Sequence, residues 1–426
     1  MTQRKSQQML IVLILIGLVV AANIYGTYTF LTERVPGHND FLPRWEGSRT
    51  FWLEGQSPYS DEATLNIQMR IFGRAVGEGE DLSLFVYPFY TSFILLPLTP
   101  LSYSWATAIW MVFLEACLIL ALLLVCDIVR WFPKPMFLTV LVLWALFYYF
   151  AARGLMLGQF SHLLYMLEIA SVWGLYRGHP RLGGAALALS TIKPQMGIFI
   201  VPFLLLWALS RRNWDFLGGF TGGMIVLWGG SFLLSPSWLG DWITQLRLYP
   251  TYTSVGSPVE TIVQYYLGLS PVITYFISGG FILLMLYYWY STMILKRNDH
   301  FLWTVTLTLV VTALTAPRVA TPQYVVFTTL IVISLCDFIR KRKVKQAGWW
   351  MAGVLALVTV LPWLHFLMTV DGSQQHISNY VPTPIVAMLI LWFTRKLWWQ
   401  YAPPLKDTTN TQPAVIRQPA PGDALT

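Results

Sequence analysis

The chain has 426 residues, 56% hydrophobic and 15% aromatic, with only 11% charged and a mean hydropathy of +0.56. Soluble domains carry about 25% charged residues, so this chain cannot cover a folded globule with polar surface, and a soluble enzyme is excluded. The net charge of +8 lies in short basic clusters between apolar runs, the signature of the positive-inside rule rather than of a nucleic-acid-binding face, and no nucleic-acid partner is expected.

In chain order, Arg4 and Lys5 precede an unbroken apolar run from Met9 to about Phe30, long enough for a bilayer core. It continues past Ala21 and Ala22 without a cleavage-like break, so a retained first span is expected rather than a signal peptide. Residues 87–101 are apolar but interrupted by Pro88, Pro97 and Pro100, which predicts a half-inserted helix on the outer face. Further apolar stretches run over 104–128, 136–151, 161–176, 182–209, 216–234, 271–295, 301–316, 322–338, 348–369 and 382–397. Stretch 182–209 begins and ends at basic clusters, so it crosses an even number of times or re-enters, with its break at Lys193-Pro194-Gln195.

The basic clusters Arg130/Lys134, Arg177/Arg181, Arg211/Arg212, Lys296/Arg297, Arg340 to Lys345 and Arg395/Lys396 read as cytoplasmic. That bias sets the expected topology: an all-α polytopic bundle of about twelve spans in a cell membrane, amino terminus inside and long first loop outside. Residues 1–402 form one transmembrane domain, and the Pro- and Thr-rich stretch 403–426 reads as a disordered cytoplasmic tail. Cys117, Cys126 and Cys336 lie in or beside apolar segments with no CxxC pairing, so neither disulfides nor a zinc site is indicated.

Polar chemistry gathers on the outer face. The first outer loop, 31–86, carries nine acids and five arginines, more than any other loop, mixed with aromatic residues. It reads as a surface helical hairpin that binds a ligand. Asp40 is one of its carboxylates, and a helix cap is the bland reading of it. Trp45, Trp52 and Tyr59 could be sugar platforms or interfacial anchors. Lys193 interrupts an apolar stretch, and a cation there is costly enough to suggest function; its alternative is snorkelling to the surface. Arg318 and Gln323 sit at a helix break between prolines, and broken helices at membrane depth are tolerated mainly where they line a cavity. His376 lies in the last outer loop. Glu115 and Glu168 read as interhelical hydrogen-bonding groups, with lining of the cavity as the alternative for either.

The order Asp40…Trp45…Leu53-Glu54-Gly55…Pro58-Tyr59, Tyr87-Pro88…Leu96-Pro97-Leu98, Leu157-Gly158-Gln159 and Ile192-Lys193-Pro194 resembles glycosyltransferase family 87 over roughly residues 10–340. These are integral-membrane transferases of the GT-C superfamily, similar to polyprenol-phosphate-mannose-dependent mannosyltransferases. The resemblance implies a lipid-linked sugar donor, a glycolipid or glycan acceptor, an outward-facing site and inverting transfer. It also implies that an aspartate of the first outer loop is the general base, and Asp40 matches it.

The reaction requires a base for the acceptor hydroxyl and cations for the departing phosphate. Arg44, Lys193 and Arg318 are the candidate cations, and Tyr59, Tyr87, Gln159, Gln323 and His376 the candidate substrate contacts. Asp40 has no second aspartate at position 42, where Leu stands. A lone carboxylate makes a poor divalent site, so no metal or other cofactor is expected. The rival reading is a lipid-linked sugar flippase or transporter. It would favour internal repeats with paired broken helices, and none is visible. A polysaccharide polymerase or ligase would place the long outer loop late in the chain, whereas here it comes first.

Overall fold

The computed structural model describes residues 2–35, 37, 40–77, 79–252, 256–317, 319–372 and 375–404; the expected disordered tail lies almost wholly outside the described residues. Among the described residues the chain is helical with no strand, as the apolar patterning requires. Its helices are α1 (Thr2–Thr27), α2 (Leu42–Glu54), α3 (Asp61–Phe72), α4 (Thr91–Leu95), α5 (Tyr103–Ile128), α6 (Pro135–Phe147), α7 (Tyr149–Leu157), α8 (Ser161–Arg177), α9 (Pro180–Leu189) and α10 (Pro194–Gly197). They continue with α11 (Ile200–Ser210), α12 (Trp214–Leu234), α13 (Trp238–Tyr252), α14 (Pro258–Glu260), α15 (Pro271–Met293), α16 (Phe301–Thr315), α17 (Val325–Lys341), α18 (Ala347–Thr369) and α19 (Pro382–Trp398).

Seven helices among the described residues are long and apolar enough to cross a bilayer, or eight if α6 and α7, bent by 53° at Tyr148, count as one span. The twelve spans expected from hydropathy are not reached by that measure. Stretches 161–176 and 301–316 fold into helices of only 17 and 15 residues. Stretch 182–209 becomes two short helices, α9 and α11, of 10 and 11 residues. At about 1.5 Å per residue neither covers a hydrocarbon core of about 30 Å. The break is written locally: Pro194 disfavours helical geometry in the residue before it, and Lys193 adopts φ −130°, ψ 81°. Residues 87–101 form only short helical pieces. They contain the five-residue α4 and one 3₁₀ turn, Leu96–Leu98, because the prolines leave no longer run.

Backbones touch where α9 meets α12. A Cβ at Gly184 would lie 2.0 Å from the Phe216 carbonyl oxygen, and one at Gly219 would lie 2.1 Å from that of Arg181. Close approach of this kind replaces the missing hydrophobic drive between helices in lipid. Helix α1, by contrast, is exposed along most of its length. It is held near its carboxyl end, where Asn23 Nδ2 donates to Glu115 Oε2 at 2.7 Å and Tyr28 stacks on Trp105. Glu115 is therefore the interhelical polar group expected. Glu168 is not: it is 2% exposed, and neither carboxylate oxygen has a hydrogen-bond partner among the described residues.

The helix ends that carry the basic clusters converge on one face. Arg177 pairs with Asp127 at 2.6 Å, joining the ends of α8 and α5. Lys341 Nζ donates to Gln400 Oε1, joining α17 to the segment after α19. Lys296 Nζ donates to the Ser210 carbonyl, joining the segment after α15 to α11. The hairpin α2–α3 and the turn at Lys193 lie toward the opposite end.

Candidate functional site

The segment 31–86 carries the expected pair of helices, α2 and α3, but Trp45 and Tyr59 face inward. Trp45 is 1% exposed and its Nε1 donates to the Leu98 carbonyl, while Trp52 Nε1 donates to the Ser92 carbonyl. Arg49 Nη1 donates to the Thr99 carbonyl. These bonds pin α2 onto the proline-rich segment 85–101. Tyr59 is likewise buried, its hydroxyl donating to the Tyr87 carbonyl at 2.7 Å. It therefore fixes Tyr87 in place, and its ring is not open to a ligand.

Stacked rings deliver Asp40 to its partner. Phe41 and Phe160 both pack on Trp110, with centroids at 5.3 and 4.7 Å, and Trp110 Nε1 donates to the Gly158 carbonyl. Asp40 immediately precedes Phe41 and Gln159 immediately precedes Phe160, so this sandwich brings the two polar side chains together. Gly158 makes the approach possible by ending α7 at φ +64°, a conformation that favours glycine. Gln159 Nε2 then donates to Asp40 Oδ2 at 2.6 Å, and Lys193 Nζ donates to Gln159 Oε1 at 2.9 Å. The chemistry at both ends fixes the amide orientation, because an ammonium can only donate and a carboxylate accepts.

Lys193 is 5% exposed, so it does not snorkel. Asp40 is not a helix cap either: the residue capping α2 is Phe41, which makes no side-chain capping bond, and the Asp40 carboxylate is turned toward Gln159. Asp40 is half-buried, so its carboxylate is neither sealed in nor stranded in solvent.

Beside this relay the Arg44 guanidinium sits 4.6 Å from the centroid of the Tyr87 ring. Burial pushes the Tyr87 phenol up to about 12, with Arg44 opposing and Asp40 reinforcing the shift. Tyr249 on α13 lies within electrostatic reach of Asp40, Arg44, Tyr87 and Lys193; burial raises its phenol too. Tyr380, in the 3₁₀ turn Ile377–Tyr380, lies within reach of Asp40, Tyr249 and Arg153. Five of the residues singled out from the sequence thus cluster together: Asp40, Arg44, Tyr87, Gln159 and Lys193.

Tyr59 stands behind Tyr87, and Gln323 and His376 do not join the group. Arg318 lies outside the described residues. Gln323 is buried against a separate small void lined by Met196 and Val319, because the turn Thr321–Tyr324 packs behind the Lys193 segment. His376 is exposed and its Nδ1 accepts from the Ser378 backbone, so it caps its own turn. Conversely, Trp110, Tyr249 and Tyr380 went unnoticed in the sequence. Only their aromatic character marks them, and it does not distinguish them from the many other aromatics of such a chain. Among the described residues no group of three or more His, Cys, Asp or Glu side chains is placed to hold a metal ion.

The model of glycosyltransferase family 87 matches residues 85–317, more than half of the chain. The matched segment contains Tyr87, Trp110, Gln159, Lys193 and Tyr249, whereas Asp40 and Arg44 precede it. No curated protein and no solved structure matches the chain.

Proposed function

The chain belongs to glycosyltransferase family 87, a family of membrane glycosyltransferases, and from that premise we propose that it transfers a hexose, mannose first among the candidates, from a polyprenyl-phosphate-linked donor to a glycolipid or glycan acceptor. The acceptor hydroxyl attacks the anomeric carbon opposite the phosphate and gives its proton to Asp40. The new C–O bond forms as the anomeric carbon–phosphate oxygen bond breaks, the configuration inverts, and polyprenyl phosphate departs as an anion. General-base attack from the face opposite the leaving group is the logic of single-displacement glycoside chemistry.

The observation that carries this reading is the Lys193–Gln159–Asp40 relay. It joins three segments far apart in the chain and brings a carboxylate and a buried cation close to Arg44. Lys193 and Arg44 are the groups for the phosphate, since cations already in place need no reorganisation as its charge develops. Tyr87, Gln159 and Tyr249 position the donor head. The gathering of basic helix ends on the opposite face supports an outward-facing relay with the amino terminus inside.

Purified protein given a radiolabelled polyprenyl-phosphate hexose and a crude lipid acceptor fraction is expected to form a new glycolipid. Asp40→Asn is expected to abolish transfer without loss of expression or monodispersity, and full activity in that variant overturns the mechanism. With a lone carboxylate already engaged by an amide, transfer is also expected to continue unchanged in excess EDTA. Loss of activity that added magnesium or manganese restores would reject that expectation.

A further inference from the structure

Helices α17 and α18 are both long and apolar enough to cross a bilayer, and only residues 342–346 separate them. Tied at each end to a span, so short a link stays at the membrane surface. It belongs to the most basic stretch of the chain, five cations in the six residues from Arg340 to Lys345. Arg340 and Lys341 are taken by the buried Asp337 carboxylate, at 2.6 and 2.7 Å. Arg342, Lys343 and Lys345 are exposed, and among the described residues no ion pair holds them. The link between α5 and α6 borders the same surface. Its Trp131 ring centroid lies 5.8 Å from the Arg340 guanidinium, which brings the exposed Arg130 and Lys134 toward the end of α17. On the other side, Trp349 and Trp350 in the first turn of α18 are 78% and 62% exposed.

We propose that this surface binds the headgroups of anionic phospholipids in the leaflet it faces, with Arg342, Lys343 and Lys345 meeting their phosphates and Arg130 and Lys134 at its border. Three features select that occupant. The link is held between two spans, so its cations stand at headgroup depth, where a basic cluster is drawn to an anionic leaflet. Exposed indoles beside it are characteristic of the membrane–water interface, which favours lipid over a soluble acidic partner. The third feature is cost. Like charges crowd the link, and Lys343 and Gln346 hold left-handed φ values of 49° and 64°, unfavourable for residues other than glycine. Among the described residues no carboxylate offsets that crowding, since Asp337 is already engaged by Arg340 and Lys341. Lipid phosphates supply the missing negative charge. The site is separate from the relay and does not depend on the transfer reaction.

The test titrates dioleoyl phosphatidylglycerol and dioleoyl phosphatidylcholine into the full-length protein in neutral detergent, with bound lipid read by native mass spectrometry and Tm followed in parallel. Phosphatidylglycerol is expected to bind and to raise Tm, as a ligand of the folded state does, at concentrations where phosphatidylcholine does neither. The triple variant Arg342→Gln/Lys343→Gln/Lys345→Gln is expected to weaken phosphatidylglycerol by about tenfold or more. A control triple, Arg181→Gln/Arg297→Gln/Arg395→Gln, removes the same charge from basic helix ends whose cations already have partners in Asp215, Asp299 and the Trp392 carbonyl. It is expected to bind within about twofold of wild type. Equal losses in the two triples overturn the assignment, because net charge and not this surface would then hold the lipid. So does phosphatidylcholine binding as well as phosphatidylglycerol. An equal rise in Tm with glycerol 3-phosphate at the same concentration also overturns it, by making the surface a site for a soluble phosphate. If the first triple does not fold, Lys343→Gln and Lys345→Gln carry the test singly. Each is then expected to weaken phosphatidylglycerol by about threefold, and wild-type binding in both overturns the assignment.

Discussion

Replacing Gln159 by Leu tests whether the relay serves the reaction or only the fold. Gln159 makes two hydrogen bonds to charged partners, one to Asp40 at 2.6 Å and one from Lys193 at 2.9 Å. Bonds of this type are worth about 1.5–3 kcal/mol each, and an abandoned buried group adds its desolvation penalty. Leucine nearly preserves the volume but leaves the Lys193 ammonium, 5% exposed, without that partner. It also frees the Asp40 carboxylate to rotate. If one bond's worth of aim is lost from the transition state, kcat/KM falls by about 100-fold, since about 1.4 kcal/mol corresponds to tenfold. The fall should appear mainly in kcat if Asp40 is misdirected, whereas a rise confined to donor KM would place the relay in binding. The assay is initial-rate transfer from the radiolabelled lipid-linked hexose, with thermal unfolding followed in parallel. Gln159→Glu gives a second arm: it keeps an acceptor for Lys193 but sets a carboxylate against Asp40, and it should be at least as inactive. A Gln159→Leu protein within about threefold of wild type, beside an inactive Asp40→Asn, would refute the relay as a catalytic support.

Two further outcomes follow from packing and charge. Gly184→Ala places a methyl 2.0 Å from the Phe216 carbonyl oxygen and 2.7 Å from the Phe220 nitrogen, backbone atoms that cannot swing aside. Overpacking of this kind costs about 1–3 kcal/mol, and because α9 leads into the Lys193 turn, both melting temperature and donor use should fall. Gly222→Ala, which meets open space, is the control, and equal behaviour of the two would reject the argument. Glu46 is 3% exposed and paired with Arg70, yet burial outweighs that pairing and its carboxyl titrates above its ordinary range. The folded state then binds its proton more tightly than the unfolded state. Glu46 therefore loses stability for the fold as pH rises from its unfolded value through its raised folded value. Glu46→Gln should flatten that slope in a thermal-melt series and leave stability near neutral pH unchanged or higher; a variant that melts well below wild type at neutral pH would show that the ion pair dominates.

Much of the relay could be read from residue chemistry before any geometry. Lys193 stood out because an ammonium in an apolar stretch is expensive, and the proline after it marked the break that places it. Asp40 and Gln159 stood out through motif order. Their meeting could not be read, because it depends on Phe41 and Phe160 clasping Trp110, three aromatics more than 100 residues apart at the extremes. Such pairing leaves no period in the sequence. Hydropathy likewise found the apolar stretches but not how they divide into helices, since it registers how apolar a segment is and not whether a proline has divided it.

The amide between Lys193 and Asp40 has its own logic in the proposed reaction. A direct ion pair would satisfy both charges, and the two groups would then be bound to each other rather than to substrate. Pairing buried charges also recovers little of their desolvation cost. Gln159 spans the gap with one donor and one acceptor, so each charged group gains a fixed direction while keeping its charge for another partner. The relay takes one Asp40 oxygen, Oδ2, and one of the three Lys193 donors. The second oxygen then falls to the attacking hydroxyl and the remaining ammonium protons to the leaving phosphate. That division explains why an uncharged side chain sits at the centre of a site whose work is moving charge. It also predicts that Gln159→Lys, which would offer Asp40 an ammonium directly, fails even though it adds a cation.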